Sequence, residues 1–156
     1  MAVPPGIRDN RLAMKSDITT SDDVKRLVDT FYDRVNQDDL LSPIFNDVAK
    51  VNWDEHLPVM YSFWGAMLLG EGTFYGRPFP KHAVLPVEQA HYERWLTLFG
   101  NTIDLLFAGP KADEARLRAL CIADTFAMRT GVLKNPEALH GAVGVGSSGK
   151  PVLRMA

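Results

Sequence analysis

Apolar residues in the first third of the chain recur at helical spacing. Val24, Leu27, Val28, Phe31 and Val35 fall on one face, with Tyr32 at its flank. Ser21 or Thr20 is placed to cap that helix, and Asp22 and Asp23 suit the positive end of its dipole. Ser42-Pro43 opens a short helical turn carrying Ile44 and Phe45. A second stripe follows in Trp53, His56, Met60, Phe63, Trp64 and Met67, and Asn52 with Glu55 has the spacing of a capping box. Pro58 interrupts it. A proline inside a helix costs about 3 kcal/mol, so the pattern predicts a regular helix from near Leu57 or a distorted first turn.

Beyond Gly70-Glu71-Gly72 the chain runs in a loop to Pro80. His82 stands between Pro80 and Pro86, which leaves room for one or two helical turns. A longer helix is predicted over 87–108, with a stripe of His91, Trp95, Leu98, Thr102 and Leu105 and a stop at Gly109-Pro110. The last helix is predicted over 112–129, with Leu117, Leu120, Ala123, Asp124 and Ala127 on its face and Gly131 at its end. No strand or hairpin pattern stands out. The reading is all-α, with about five helices in a domain over 21–130. Residues 1–20 lack periodicity and read as a flexible lead. Residues 131–156, with Gly141, Gly144, Gly146, Ser147, Ser148 and Gly149, read as a flexible tail.

Composition narrows the class. The 156 residues are 46% hydrophobic and 23% charged, so this is an ordinary globular chain rather than a disordered one. The formal net charge of −2 gives no electrostatic footprint for nucleic acid or for an anionic membrane surface. A single cysteine, Cys121, excludes an intrachain disulfide, an iron–sulfur cluster and a four-thiolate zinc site. Cys121 itself reads as a small core residue. No signal-peptide pattern is visible, and the longest apolar stretch, Tyr61 to Leu69, falls short of the ~20 residues of a spanning helix. A cytoplasmic protein is the simplest expectation.

The candidate chemistry lies in aromatics and histidines. Three Trp, eight Phe and four Tyr are mostly confined to 31–107. Of the four histidines, none forms a His-Glu-x-x-His motif, and no phosphate-cradling glycine loop or serine nucleophile turn is present outside the glycine-rich tail. Aromatic stripes are more often plain core than a cofactor box. Against that stand His82, held on a short proline-bounded element, and His56 on a separate apolar face; one axial histidine is a common way to hold haem iron.

The order of these residues closely resembles the truncated haemoglobins, specifically group III. The run Trp53-Asp54-Glu55-His56 leads to Phe63-Trp64-Gly65-Ala66-Met67-Leu68-Leu69-Gly70, then Tyr75-Gly76-Arg77-Pro78, Lys81-His82 and Arg94-Trp95-Leu96-Thr97-Leu98-Phe99. Phe31-Tyr32 and Pro43-Ile44-Phe45 precede it, and the match covers about 21–130. The gap from His56 to His82, 82 − 56 = 26 residues, fits the family's distal-to-proximal spacing. The loop from Gly70 to Gly76 fits a group without the glycine pairs of other truncated globins.

The resemblance implies a truncated globin fold, a two-over-two helical sandwich around haem b (iron protoporphyrin IX). It implies His82 as proximal iron ligand, Tyr32, His56 and Trp95 as the distal polar residues, and Phe45 and Met60 as apolar residues against the cofactor. The role of His56 stays open between gating, coordinating iron and donating to the ligand. His91 is open between the haem edge and a surface site, and Arg77, Lys81 and Arg94 are the cations near enough in sequence to meet propionates. Asp124 reads as a buried hydrogen-bonding group. The implied function is binding of dioxygen and related diatomic gases with slow release. Two donors worth ~1.5–3 kcal/mol each slow escape by roughly 10²–10⁴-fold, which suits nitric oxide or peroxide chemistry better than transport. That chemistry would need an unidentified reductase as electron donor. A haem-based gas or redox sensor acting through a partner, and a cofactor-free helical interaction module, are the competing readings.

Overall fold

The computed structural model describes residues 15–71 and 85–132. Among them lie α1 (Ser21–Gln37), a π-helical segment (Pro43–Val48), α2 (Trp53–Leu69), α3 (Gln89–Leu106) and α4 (Pro110–Arg129), and no strand. His82, Arg77, Lys81 and the expected tail from 133 onward lie outside the described residues.

Thr20 is the residue that caps α1. Its hydroxyl accepts from Asp23 N at 3.2 Å, and the Asp23 carboxylate accepts from Thr20 N at 3.1 Å, a closed capping box. All five residues of the first stripe are buried, and so is Tyr32. The turn expected at Ser42-Pro43 is a π-helix: Ala49 N donates to the Ile44 carbonyl five residues back, at 2.9 Å. Asn46 pins this segment. Its amide donates to Asn36 Oδ1 at 2.9 Å and to the Ser42 carbonyl at 3.1 Å, while its oxygen accepts from Trp53 Nε1 at 2.9 Å.

α2 starts earlier than Leu57. Asn52 caps it by accepting from Asp54 N at 3.2 Å, and among the described residues the Glu55 half of the expected box is not formed. Pro58 lies inside the helix on its exposed side. It has no N–H to return to the Asp54 carbonyl, so one helical hydrogen bond is lost, and the helix continues through it. Gly70 ends the helix at φ +64°, a conformation that costs glycine nothing. Tyr61 donates its hydroxyl to the Asp29 carboxylate on α1. Burial and that carboxylate together push the Tyr61 hydroxyl pKa up to about 12.

The core face of α3 is turned from the predicted stripe. Leu96, Phe99, Gly100 and Ile103 are buried, whereas Leu105 is 52% exposed. The helix has two apolar faces, one against its neighbours and one carrying His91 and Trp95, and a single-stripe reading merges them. Thr102 is buried as predicted, and its hydroxyl donates to the Leu98 carbonyl at 2.7 Å. α3 ends at Leu106, where Phe107 is already extended, ahead of the predicted stop at Gly109-Pro110, and Pro110 is the first residue of α4, two positions before the predicted start. In α4 Leu120, Ala123 and Ala127 are buried as predicted, Leu117 and Asp124 are half-buried, and the alanines 112, 115 and 119 join the core.

Residues 15–20, assigned to the lead by sequence, pack against this frame. Ile18 is fully buried, and Ser16 accepts from Ala108 N at 3.1 Å. The Asp17 carboxylate accepts from Lys111 N and Ala112 N, each at 2.9 Å, and so caps α4 from a distant part of the chain. α1 packs on α2 and α3, α3 packs on α4, and α2 touches α4, so the four long helices close a ring. Phe31, Leu27, Leu68, Leu96, Phe99, Ile103 and Leu120 fill one part of it. Each such side chain contributes about 1.5–3 kcal/mol by leaving water. The other part is not filled.

Candidate functional site

That second part is a cavity of about 160 Å³ within the ring. Together with the region open to solvent, the space free of protein atoms comes to about 1070 Å³. One wall is Tyr32 from α1, Ile44 and Phe45 from the π segment, and His56, Met60, Phe63 and Trp64 from α2. Tyr92 and Trp95 from α3, with Ile122, Ala123 and Phe126 from α4, line the rest. Leu85, Val87 and His91 complete it.

Five of the six predicted site residues therefore meet in one place: Tyr32, Phe45, His56, Met60 and Trp95. His82, the sixth, lies outside the described residues. Helical spacing explains the convergence. His56 and Met60 are one turn apart on α2, and Tyr32 faces them from α1 because it flanks the buried stripe rather than leading it.

Aromatic packing fixes the rings. Tyr32 meets His56 edge to face at 5.4 Å and 81°, and meets Phe45 at 5.9 Å and 68°. Trp53 closes the group from outside. Its ring lies 5.3 Å from Tyr32 and stacks on Phe45 at 5.9 Å and 22°. Trp95 is held flat against Phe99 at 5.5 Å and 5°, with the edge of Phe31 at 5.6 Å.

The electrostatics centre on Tyr32, which is 6% exposed. Burial pushes its hydroxyl pKa far above the ordinary 10.0, so the group stays a protonated donor. Among the described residues no protein group shares a hydrogen bond with it, which is uncommon for a buried phenol. His56 Nε2 is buried beside it. The site therefore pairs an apolar, aromatic wall with a few convergent polar groups, the usual make-up of a small-molecule or cofactor site. A flat macrocycle with one polar ligand side fits that lining. No cluster of three or more His, Cys, Asp or Glu among the described residues offers a direct metal site.

Several lining residues escaped the sequence reading. Ile122 and Phe126 are one turn apart on α4, a signal that was readable beside the chosen stripe. Tyr92 lies next to His91, which was singled out. Of the expected propionate partners, Arg94 is described, and it pairs with Asp38 at 2.5 Å. Cys121 is buried as expected, and burial, reinforced by the Asp124 charge, raises its thiol pKa.

A family model of bacterial-like globins matches residues 16–128. The chain belongs to the bacterial-like globin family. A group 3 truncated haemoglobin of Campylobacter jejuni is 34% identical over 117 residues, covering 72% of this chain and 92% of its own. The crystal structure of a group III truncated haemoglobin from Campylobacter jejuni superposes with a TM-score of 0.68 at 33% identity. It covers 78% of this globin and 97% of the crystallised chain. The all-helical architecture is thus that of a truncated globin, and membership implies a haem cofactor and diatomic gas ligands. No helix of this globin among the described residues is long and apolar enough to cross a membrane.

Proposed function

We propose that this globin holds haem b in the cavity, retains dioxygen and related diatomic ligands there with slow release, and serves redox chemistry on nitric oxide or peroxide. The observation that carries the reading is that Tyr32, 6% exposed and held protonated by burial, lines the cavity without a hydrogen bond to any described protein group. A donor left open in an apolar cavity has a ligand as its natural partner.

Haem, when held there, would supply an iron able to bind a small diatomic ligand. The roles of the chain's residues follow from the sequence reading and the cavity wall. His82 would supply the imidazole that holds the iron. Tyr32 donates to a partly negative ligand in the cavity, and the Trp95 indole N–H is the second donor. His56, whose ring meets that of Tyr32 edge to face, would share that proton-donating side, turn outward as a gate or coordinate the iron. Phe45 and Met60 supply apolar surface, which keeps water away and strengthens every hydrogen bond made inside. A reductase is the implied electron donor and the cytoplasm the implied compartment.

The test begins with absorption spectra of the haem-supplemented chain, ferric and ferrous, with and without carbon monoxide. A Soret band that shifts with carbon monoxide, and a melting temperature that rises on haem uptake, are expected. Loss of stable haem uptake in His82→Ala completes the case. An apoprotein that melts at the same temperature with and without haem would leave only a helical module.

A further inference from the structure

We propose that His91 anchors the carboxylate-bearing rim of the cofactor through its Nε2–H. The inference rests on the haem reading above and deepens it. His91 opens α3 in a reciprocal cap with Glu88. The Glu88 backbone N–H donates to His91 Nδ1 at 2.9 Å, and the His91 backbone N–H donates to the Glu88 carbonyl at 3.0 Å. Because Nδ1 is an acceptor, the neutral ring carries its proton on Nε2. The cap thus sets the tautomer, and the ring it orients forms part of the cavity wall.

Position separates His91 from the other polar lining residues. Tyr32 and His56 line the cavity from α1 and α2, and Trp95 stands one turn further along α3 from His91. Tyr92 carries a buried hydroxyl on the next position of α3. His91 is half-buried, at the end of α3 where the wall gives way to solvent-exposed Glu88 and Pro86. No lysine or arginine is among the described residues that line the cavity, and Arg94 on the next turn is paired with Asp38. An otherwise apolar slot that takes a dicarboxylate macrocycle needs a donor where the carboxylates emerge. Among the described lining residues, His91 has its ring tautomer set by the backbone N–H of Glu88.

The experiment follows cofactor loss to an excess of a scavenging apoglobin. Wild type, His91→Ala and His91→Gln are each loaded with haem or with haem dimethyl ester, whose carboxylates are blocked. Alanine removes both the cap and the donor; glutamine can keep an oxygen for Glu88 N–H and an N–H for the rim. His91→Ala is expected to lose haem at least about tenfold faster than wild type. His91→Gln is expected to recover most of that difference. With the ester, all three proteins are expected to release cofactor at similar rates. Equal haem loss from wild type and His91→Ala overturns the proposal. So does an equal acceleration with haem and ester, because that pattern belongs to a weakened helix start. A wild-type chain that takes up neither porphyrin sinks the haem reading itself, and this inference with it.

Discussion

The Asp17 carboxyl carbon lies 2.6 Å from where a Cβ on Gly109 would stand. Gly109 also has φ +139° and ψ −177°, a region open to glycine alone. The two residues are halves of one device, because the missing side chain lets Asp17 reach the first N–H groups of α4. Gly109→Ala should therefore destabilise the fold by about 2–3 kcal/mol or more through strain and displacement of the cap. Denaturant unfolding checks this; a midpoint unchanged from wild type would show that the close approach is dispensable.

The same cap predicts an acid limb. Burial works against ionisation of Asp17, but backbone N–H groups of Lys111, Ala112 and Ile18 outweigh it and hold its pKa below the ordinary 3.8. Asp38 is lowered likewise, with burial opposed by Leu41 N–H and by Arg94. A carboxylate with a depressed folded pKa adds stability above its unfolded value and loses it as pH falls through the folded value. Asp17→Asn should cost about 1 kcal/mol near neutrality, and its gap to wild type should close below the ordinary 3.8. Melting temperature against pH reads it directly.

Tyr32→Phe separates function from folding. The hydroxyl shares no hydrogen bond with a described group, so its removal should change apoprotein stability by less than about 1 kcal/mol. Dioxygen dissociation should speed up by about 10–100-fold, with Trp95→Phe moving the same way. Stopped-flow release measures both; unaltered rates in the two variants would remove the donor argument and leave haem uptake standing.

Asn46 is the tie between the π segment, α1 and α2. Asn46→Ala breaks its bonds to Asn36, the Ser42 carbonyl and Trp53 and should cost about 1–2 kcal/mol at this exposed position. Trp53 stacks on Phe45, so loosening it should alter ligand rebinding after photolysis as well as stability. A loss of stability with rebinding untouched would show that Phe45 is held without this tie.

Much of this was legible in the chain. The Val24-to-Val35 stripe on α1 is buried as its spacing requires, because one face meets one core. On α2, Trp64 is the buried member of the expected stripe, and His56, Met60 and Phe63 are partly open because they face a cavity rather than a neighbour. Periodicity finds apolar faces but does not say whether a face meets protein or space. The same limit turned the α3 face. The π segment is too short for any period to show, and the docking of Ile18 and Asp17 depends on α4, about 90 residues away, where no local pattern reaches.

Ala123 belongs at once to the packed side of α4 and to the cavity wall. One methyl group there marks how far back the void extends, and it contributes no polar atom. A bulkier aliphatic at that position would shut the space from behind while Tyr32, His56, Trp95 and His91 kept their native setting. Vacancy and chemistry are thus written at different places in this chain, and each can be altered alone.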